Sequence, residues 1–172
     1  FILIIFLGFR SDVGGDWYIY TNNFHSTGKN FNFNSFNIRS DYLFELISWI
    51  VYNLGFNLIF LNLVCSLIFV YAITSFCNEQ KQPWLAILIA LTYLVFVVST
   101  GYVRQATAIS FLIIGYLNLL KNRNFSFILF MIIAVLFHKS AVIGIVPAFF
   151  IIYKQNLFIT FIMIVVLISI IY

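Results

Sequence analysis

The sequence predicts an all-α, polytopic helical membrane protein. Of its 172 residues, 63% are hydrophobic and only 8% are charged, whereas soluble domains carry about 25% charged residues. Several apolar runs are also long enough for a helix to cross a bilayer, which takes about 20 residues. We therefore expect about five complete spans or half-spans, two truncated spans, and an amphipathic helix lying at the membrane interface.

The first forty residues are predicted to leave the membrane after a short apolar run. Residues 1–9 and 157–172 are apolar to the ends of the sequence, so we expect them to be partial spans of a longer protein. Segment 10–40 is rich in Asn, Ser, Gly and aromatic residues and shows no sustained helical or strand period. It is therefore predicted to be an irregular external loop.

Segment 41–55 is predicted to be the interfacial amphipathic helix. Its leucine and isoleucine side chains recur at helical spacing, while Asp41 and Glu45 share the opposite face. Ser40 or Asp41 can cap its beginning, and Gly55 can end it. We interpret the two carboxylates as a solvated face, with contact to a glycan or action as a base as the alternative. An ordinary span would take both carboxylates into lipid.

Three apolar segments after this helix are predicted to cross the membrane: 57–77, 84–100 and 104–120. Each approaches the length needed to cover the hydrocarbon core. Pro83 stands just before the second of them, where its missing N–H costs no helical hydrogen bond.

The apolar stretch 125–153 is interrupted by His138 and Lys139. A single span would place both near the bilayer centre, where an ionised group costs about 2.5–3.5 kcal/mol. We therefore expect two short membrane helices, 125–137 and 141–153, joined at the histidine and lysine. Because each is shorter than the bilayer, the turn would be recessed and would line a wet cavity or be buried in protein.

Several functional classes are disfavoured by composition. The Lys and Arg residues are scattered singly, so we expect no nucleic-acid partner. Cys65 and Cys77 read as small buried hydrophobes, and no Cys or His spacing suggests a zinc site. Asp12 and Asp16 could form a carboxylate pair for Mg²⁺, but we expect no metal and no cofactor.

Chain parity places most polar groups of interest in one compartment. Five basic residues fall on that side and four on the other, so the positive-inside rule does not decide the orientation. If Arg104 and Lys139 serve function rather than topology, the other side is cytoplasmic by a small margin. The predicted shared side carries Arg10, Asp12, Asp16, Asp41, Glu45, Arg104, His138 and Lys139.

Four segments, in this order and spacing, resemble the EpsG-type family of exopolysaccharide polymerases, relatives of the Wzy repeat-unit polymerases. They are FRSDVGGDWYIY (9–20), DYLFELISWIVYNLGFN (41–57), GYVRQATAISFLI (101–113) and LFHKSAVI (136–143). The resemblance implies a multi-pass enzyme of the bacterial cytoplasmic membrane with its active side outward. It would polymerise undecaprenyl-diphosphate-linked repeat units into exopolysaccharide, capsule or O-antigen, with lipid diphosphate as the leaving group.

Two residues are the main catalytic candidates for that transfer. Arg104 begins a predicted membrane helix, where a guanidinium and the helix dipole can both stabilise a diphosphate; the alternative is an arginine that snorkels to lipid headgroups. Histidine side chains in general change charge near neutral pH, so a histidine at position 138 suits the role of general base. A lone histidine at a helix end is otherwise a structural group.

Five further residues complete the predicted site. Asp16, as a third catalytic candidate, and Trp17 resemble a sugar site, in which a carboxylate meets hydroxyls and an aromatic face meets the ring. The alternative is that Asp12 to Asp16 form only a glycine turn. Arg10 is predicted to be a second phosphate ligand, Gln105 a neutral donor, and Lys139 a cation for the diphosphate or for headgroups.

Other functional classes stay open on the residues alone. A flippase or transporter of lipid-linked oligosaccharide would need cations facing both halves of the membrane, whereas these cluster at one end. A glycan ligase would use nearly the same chemistry, and a structural subunit would use none. The expected partners are a polyprenyl-diphosphate-linked glycan, the lipid bilayer, and other assembly proteins such as a flippase or a chain-length regulator.

Overall fold

The computed structural model describes residues 1–14, 16–31 and 41–153, without the side chains of 149, 150, 152 and 153, and all the regular secondary structure in these ranges is helical. The all-α prediction is therefore confirmed for these ranges. The α-helices are α1 Ile2–Gly8, α2 Trp17–Asn30, α3 Tyr42–Asn53, α4 Leu58–Asn78, α5 Pro83–Ala90, α6 Val103–Leu120, α7 Asn124–Phe137 and α8 Ile145–Tyr153. A π-helix, Leu91–Ser99, continues α5, and a 3-10 helix, Lys139–Gly144, precedes α8.

Two of the described helices are long and apolar enough to cross a membrane. They are α4, with 21 residues and a mean hydropathy of 2.2, and α6, with 18 residues and a mean hydropathy of 1.4. The continuous helix Pro83–Ser99 and the helix α7 are apolar but shorter. The predicted partial span at 157–172 lies outside the described residues.

Helix α6 is the centre of the bundle. It packs against α4 on one side and α7 on the other, and α1 packs against the outer face of α4. Most buried positions of α6 are small, and they include Ala106, Thr107, Ser110 and Gly115. Small side chains allow helix backbones to approach closely, which is how apolar helices gain contact area without larger side chains.

The prediction of an irregular loop over 10–40 is wrong for its described central part, because α2 spans Trp17–Asn30. This helix packs on α3 and buries Tyr20, Phe24 and Gly28. Those three residues are four apart, so they form one narrow stripe. The remaining positions are mostly polar, which hid the helical period from the sequence.

The Gly28 position shows how tightly α2 sits on α3. A Cβ atom there would lie 2.2 Å from Cγ of Tyr52. The predicted turn before α2 is also present, since Asp12 and Gly14 have positive φ angles of 54° and 100°. A side chain at Gly14 would meet the Thr100 carbonyl oxygen at 2.6 Å, so this turn lies directly against the chain that leads into α6.

Helix α3 divides its aliphatic residues between the protein and the outer surface. Phe44, Ser48 and Val51 are buried, whereas Ile50 and Leu54 are exposed. Leu43 and Ile47 are partly buried and pack against the core.

The helix boundaries follow local sequence signals. Pro83 occupies the first turn of α5, and the side chain of Asn57 caps α4 by accepting a hydrogen bond of 3.2 Å from the Phe60 amide. Gly55 follows α3 with a φ of +81°, as expected for a helix end. The chain leaves the helix at His138, which is extended with φ −158° and ψ 121°.

Candidate functional site

Three ionisable side chains meet where α3 and α6 begin and α7 ends. Asp41 Oδ2 lies 3.0 Å from Arg104 Nη1, and Asp41 Oδ1 lies 3.1 Å from His138 Nδ1. The three side chains are 12%, 21% and 19% exposed, in the order Asp41, Arg104, His138. One carboxylate therefore links the two residues that the sequence singled out for catalysis.

The position of Asp41 departs from the prediction that it caps α3. It occupies the cap position, but its side chain makes no hydrogen bond to the helix backbone. Both carboxylate oxygens are directed to Arg104 and His138 instead. Two charge-assisted contacts stabilise the structure more than one capping hydrogen bond does, so α3 begins without a side-chain cap from Asp41. Ser40, the other predicted cap, lies outside the described residues.

Arg104 is also held between two aromatic rings. Its Cζ lies 5.0 Å from the ring centre of Tyr20 on α2 and 5.2 Å from that of Phe44 on α3. Cation–π contacts of this kind contribute roughly 0.5–2 kcal/mol each. Three helices, α2, α3 and α6, therefore determine the position of the guanidinium. The sequence predicted only that Arg104 lies at the beginning of α6.

The protonation of this group follows from its contacts. Burial alone would raise the pKa of Asp41, but the hydrogen bonds and charges of His138 and Arg104 outweigh it and lower the pKa below the ordinary value. Asp41 is therefore ionised at neutral pH and can only accept hydrogen bonds. A neutral His138 must then carry its proton on Nδ1, which leaves the lone pair of Nε2 free.

A cavity of about 160 Å³ opens beside the group. It is lined by Asp16, Ile19, Tyr20, Asp41, Tyr102, Arg104, Gln105 and His138. Of the predicted site residues, the structure thus brings together Asp16, Arg104, Gln105 and His138. They come from the turn before α2, the first turn of α6 and the end of α7.

Arg10 lies in a different place from Arg104. It is 9% exposed, it donates from Nη1 to the Ser99 carbonyl oxygen, and its Nε has no partner within the described chain. It lines a separate cavity of about 10 Å³, together with Asn62 and Thr107. That volume admits about one water molecule, so the resting structure offers no room for a phosphate at Arg10.

Trp17 and Lys139 do not line the 160 Å³ cavity either. Trp17 is half-buried and packs against the core formed by α2, α3 and α4. Lys139 is exposed and begins the 3-10 helix. A direct role for either residue would therefore need a substrate that extends beyond this cavity.

Four residues that line the cavity were not among the predicted site residues: Ile19, Tyr20, Asp41 and Tyr102. Asp41 was assigned to a solvated helix face because its partners are 63 and 97 positions away. Tyr20 was placed in a loop. The four-residue spacing of Tyr20, Phe24 and Gly28 is the one signal that could have found the helix.

The described residues contain no group of three or more His, Cys, Asp or Glu side chains that could hold a metal ion. Asp16 and Asp41 do line one cavity, but Asp41 is already shared between two basic side chains. The chemistry that the described site can supply is therefore that of a guanidinium, an imidazole and two carboxylates.

Comparison with known proteins places this site in a family. No curated protein and no solved structure matches the chain. The model of the EpsG family matches residues 1–172, which is the whole sequence and includes all the site residues. The family suggested by the four sequence segments is therefore confirmed, and the chain belongs to the EpsG family.

Proposed function

We propose that this protein polymerises polyprenyl-diphosphate-linked oligosaccharide repeat units into an extracellular polysaccharide. Membership of the EpsG family supports this proposal at the level of exopolysaccharide assembly. The observation that carries the chemistry is the contact of Asp41 with both Arg104 and His138. It combines a potential proton acceptor and a phosphate-binding cation in one cavity.

A multi-pass location in the bacterial cytoplasmic membrane is part of the same proposal. The two long apolar helices and the shorter ones support it. So does the periphery of the bundle, where large apolar side chains face outward: Leu67, Tyr71, Leu88, Ile128 and Ile132. Soluble monomers seldom expose such surfaces. The site would face the outside of the cytoplasmic membrane, and the polysaccharide would be assembled on that side.

In the proposed reaction, His138 is the general base. A hydroxyl of the acceptor glycan attacks the anomeric carbon of the donor sugar and gives its proton to Nε2 of His138. Asp41 holds the imidazole by Nδ1 and stabilises the imidazolium that forms, which is the role of a carboxylate partner to a catalytic histidine. The new glycosidic bond forms as the bond from the anomeric carbon to the diphosphate oxygen breaks.

Arg104 stabilises the leaving group. The electron pair of the broken bond stays on the lipid diphosphate, whose negative charge rises during the reaction. A guanidinium has five N–H donors, and the described contacts of Arg104 use one of them, with Asp41. Its Nε is buried and has no partner among the described residues, so the donors left for a ligand are those of the two Nη groups.

The carboxylates of the cavity oppose anion binding, so they shape the affinity. Asp41 balances the charge of Arg104 at rest, and Asp16 adds a second negative charge. We infer that the site binds the diphosphate weakly in the ground state and more strongly as negative charge develops in the transition state. The interaction therefore raises turnover more than it raises the affinity for the substrate. Gln105 and Tyr102 contribute neutral donors beside it.

The proposal is tested by the fate of the lipid-linked repeat unit in a strain that lacks the full-length gene. We expect single repeat units on lipid to accumulate at the outer face of the membrane, and long chains to return when the gene is restored. Accumulation at the inner face would indicate a flippase. Normal chain length with failed transfer to a final acceptor would indicate a ligase.

A matched pair of variants connects that result to the site. Restoration with His138→Gln is expected to leave the repeat units unpolymerised, since general base catalysis contributes about 10²–10⁴ in rate. Restoration with His25→Gln is expected to give normal chains, because His25 is an exposed histidine on α2 outside the cavity. Equal polymer from both variants would remove His138 from the mechanism.

A further inference from the structure

A second polar cavity adjoins the site on the other side of Tyr20 and Arg104. It measures about 140 Å³ and lies between α2 and α3. Tyr20 and Arg104 line both cavities, so a ligand in one lies next to a ligand in the other. The walls that belong to the second cavity alone include Asn23, Phe24, Thr27, Phe44, Glu45 and Ser48.

The polar groups of this second cavity are not used to hold the fold together. The side chains of Asn23, Thr27 and Glu45 make no hydrogen bond or ion pair within the described part of the chain. Ser48 donates to the Phe44 carbonyl oxygen at 2.7 Å, and its own oxygen stays free to accept. The cavity thus presents an amide, two hydroxyls and a carboxyl group that await partners.

The second cavity adds a carboxyl group and no cation of its own. Glu45 lines this cavity alone, whereas Arg104 is shared with the first cavity and pairs with Asp41. Burial raises the pKa of Glu45, but the group remains an acceptor that repels anions when ionised. A ligand with many hydroxyls and no charge would instead satisfy the amide, the hydroxyls and the carboxyl group together.

Aromatic rings supply the remaining walls. Phe24 and Phe44 are buried, and Tyr20 and Phe44 contact each other with ring centres 5.9 Å apart. These rings form an apolar boundary to the cavity, and Arg104 lies over the Tyr20 and Phe44 rings. The volume of about 140 Å³ admits a group of several water molecules in size, consistent with one monosaccharide ring rather than a long oligosaccharide.

We infer that the cavity between α2 and α3 binds one uncharged sugar ring of the glycan, next to the site where Asp41, Arg104 and His138 act. The link to glycosyl transfer rests on the proposed function, whereas the sugar binding rests on the cavity itself. Glu45 would accept hydrogen bonds from ring hydroxyls, and the side-chain amide of Asn23 would donate hydrogen bonds to them. The cavity would thereby place the neighbouring sugar at a fixed distance from His138.

The binding of free oligosaccharide tests this inference without any transfer reaction. The full-length protein would be placed in lipid nanodiscs, and the probe would be oligosaccharide released from the host's own polysaccharide by partial acid hydrolysis. Saturation-transfer NMR measures its affinity. We expect Glu45→Gln and Asn23→Ala each to weaken binding about five- to tenfold, the loss of one or two hydrogen bonds. Asn22→Ala is the matched control, since Asn22 is exposed and lines neither cavity.

The outcomes separate this inference from the proposed function. Weaker binding in the two cavity variants but not in Asn22→Ala supports the sugar site, even if the protein forms no polymer. Absence of binding to the wild type, or equal binding by all four proteins, overturns the sugar site. Chain growth in the same nanodiscs, measured with the lipid-linked repeat unit, reports separately on the proposed function.

Discussion

Helix α6 carries a basic residue at each end, and the two ends have different environments. Arg104 in its first turn pairs with Asp41, and Lys121 just after its last residue pairs with Glu79. A rise of about 1.5 Å per residue over 17 residues separates them by about 26 Å. The first pair is 21% and 12% exposed, and the second is 53% and 49% exposed.

An ion pair alone therefore does not indicate a functional site. The pair at Lys121 is a solvated contact between the ends of α4 and α6, and such pairs contribute at most about 1 kcal/mol. The pair at Arg104 is joined by a histidine and two aromatic rings and opens on a cavity. Groups held this rigidly need little reorganisation when charge develops beside them.

Replacing the basic residue in the first turn of α6 should have the largest effect, and replacing the one after its last residue should have none. Arg104→Lys keeps the charge but loses the planar guanidinium that Tyr20 and Phe44 enclose. We expect polymerisation to fall about 10²-fold or more, measured as turnover of the lipid-linked repeat unit. Lys121→Arg is the matched control and should leave turnover unchanged. Normal turnover by Arg104→Lys would show that the guanidinium is a membrane anchor.

Neutralising the acidic partner of Arg104 should have the next largest effect. Asp41→Asn removes the carboxylate that orients His138, so we expect turnover to fall about 10–100-fold. The same change frees Arg104, so inorganic pyrophosphate should bind several-fold more tightly. Calorimetry on the purified protein measures the second effect. Weaker pyrophosphate binding by Asp41→Asn would contradict the view that Asp41 limits anion affinity at rest.

The packing of α2 tests the aromatic side of the site. Gly28→Ala places a Cβ against the Tyr52 ring, and such overpacking costs roughly 1–3 kcal/mol. We expect a lower melting temperature in detergent and a smaller loss of turnover. Gly101→Ala is the control, because a Cβ there meets no atom within 4 Å. An unchanged melting temperature for Gly28→Ala would mean that α2 is not docked on α3.

The smallest effect is expected at the solvated end. Glu79→Gln removes the charge that pairs with Lys121, and the loss should be within about 0.5–1 kcal/mol of unfolding free energy. Turnover should not change. A loss of turnover comparable to that of Asp41→Asn would remove the distinction between the two ends of α6.

The local features of the fold were predictable, because apolar length and helix signals are local. Pro83, Gly55 and the break at His138 each mark an observed boundary. Helix α2 was missed because its apolar residues form a stripe one residue wide in a polar segment. Helix α3 was predicted from its helical spacing, but that spacing did not show that Leu43 and Ile47 pack on the core while Ile50 and Leu54 are exposed.

The candidate site was predictable in part for a related reason. Arg104 and His138 stand out because charged or titratable groups interrupt apolar runs. Asp41 does not, since its segment is polar and its partners are distant along the chain. Arg10 was predicted to be a second phosphate ligand, and in the structure its side chain turns inward to the Ser99 carbonyl oxygen.

A double-mutant cycle on turnover tests most directly whether Asp41 acts through His138. It compares Asp41→Asn, His138→Gln and the double variant in nanodiscs with the lipid-linked repeat unit. If Asp41 acts through His138, the double variant should be no slower than His138→Gln alone, because residues that act as a unit are not additive. Multiplying losses would show that the two side chains act independently and would contradict the account.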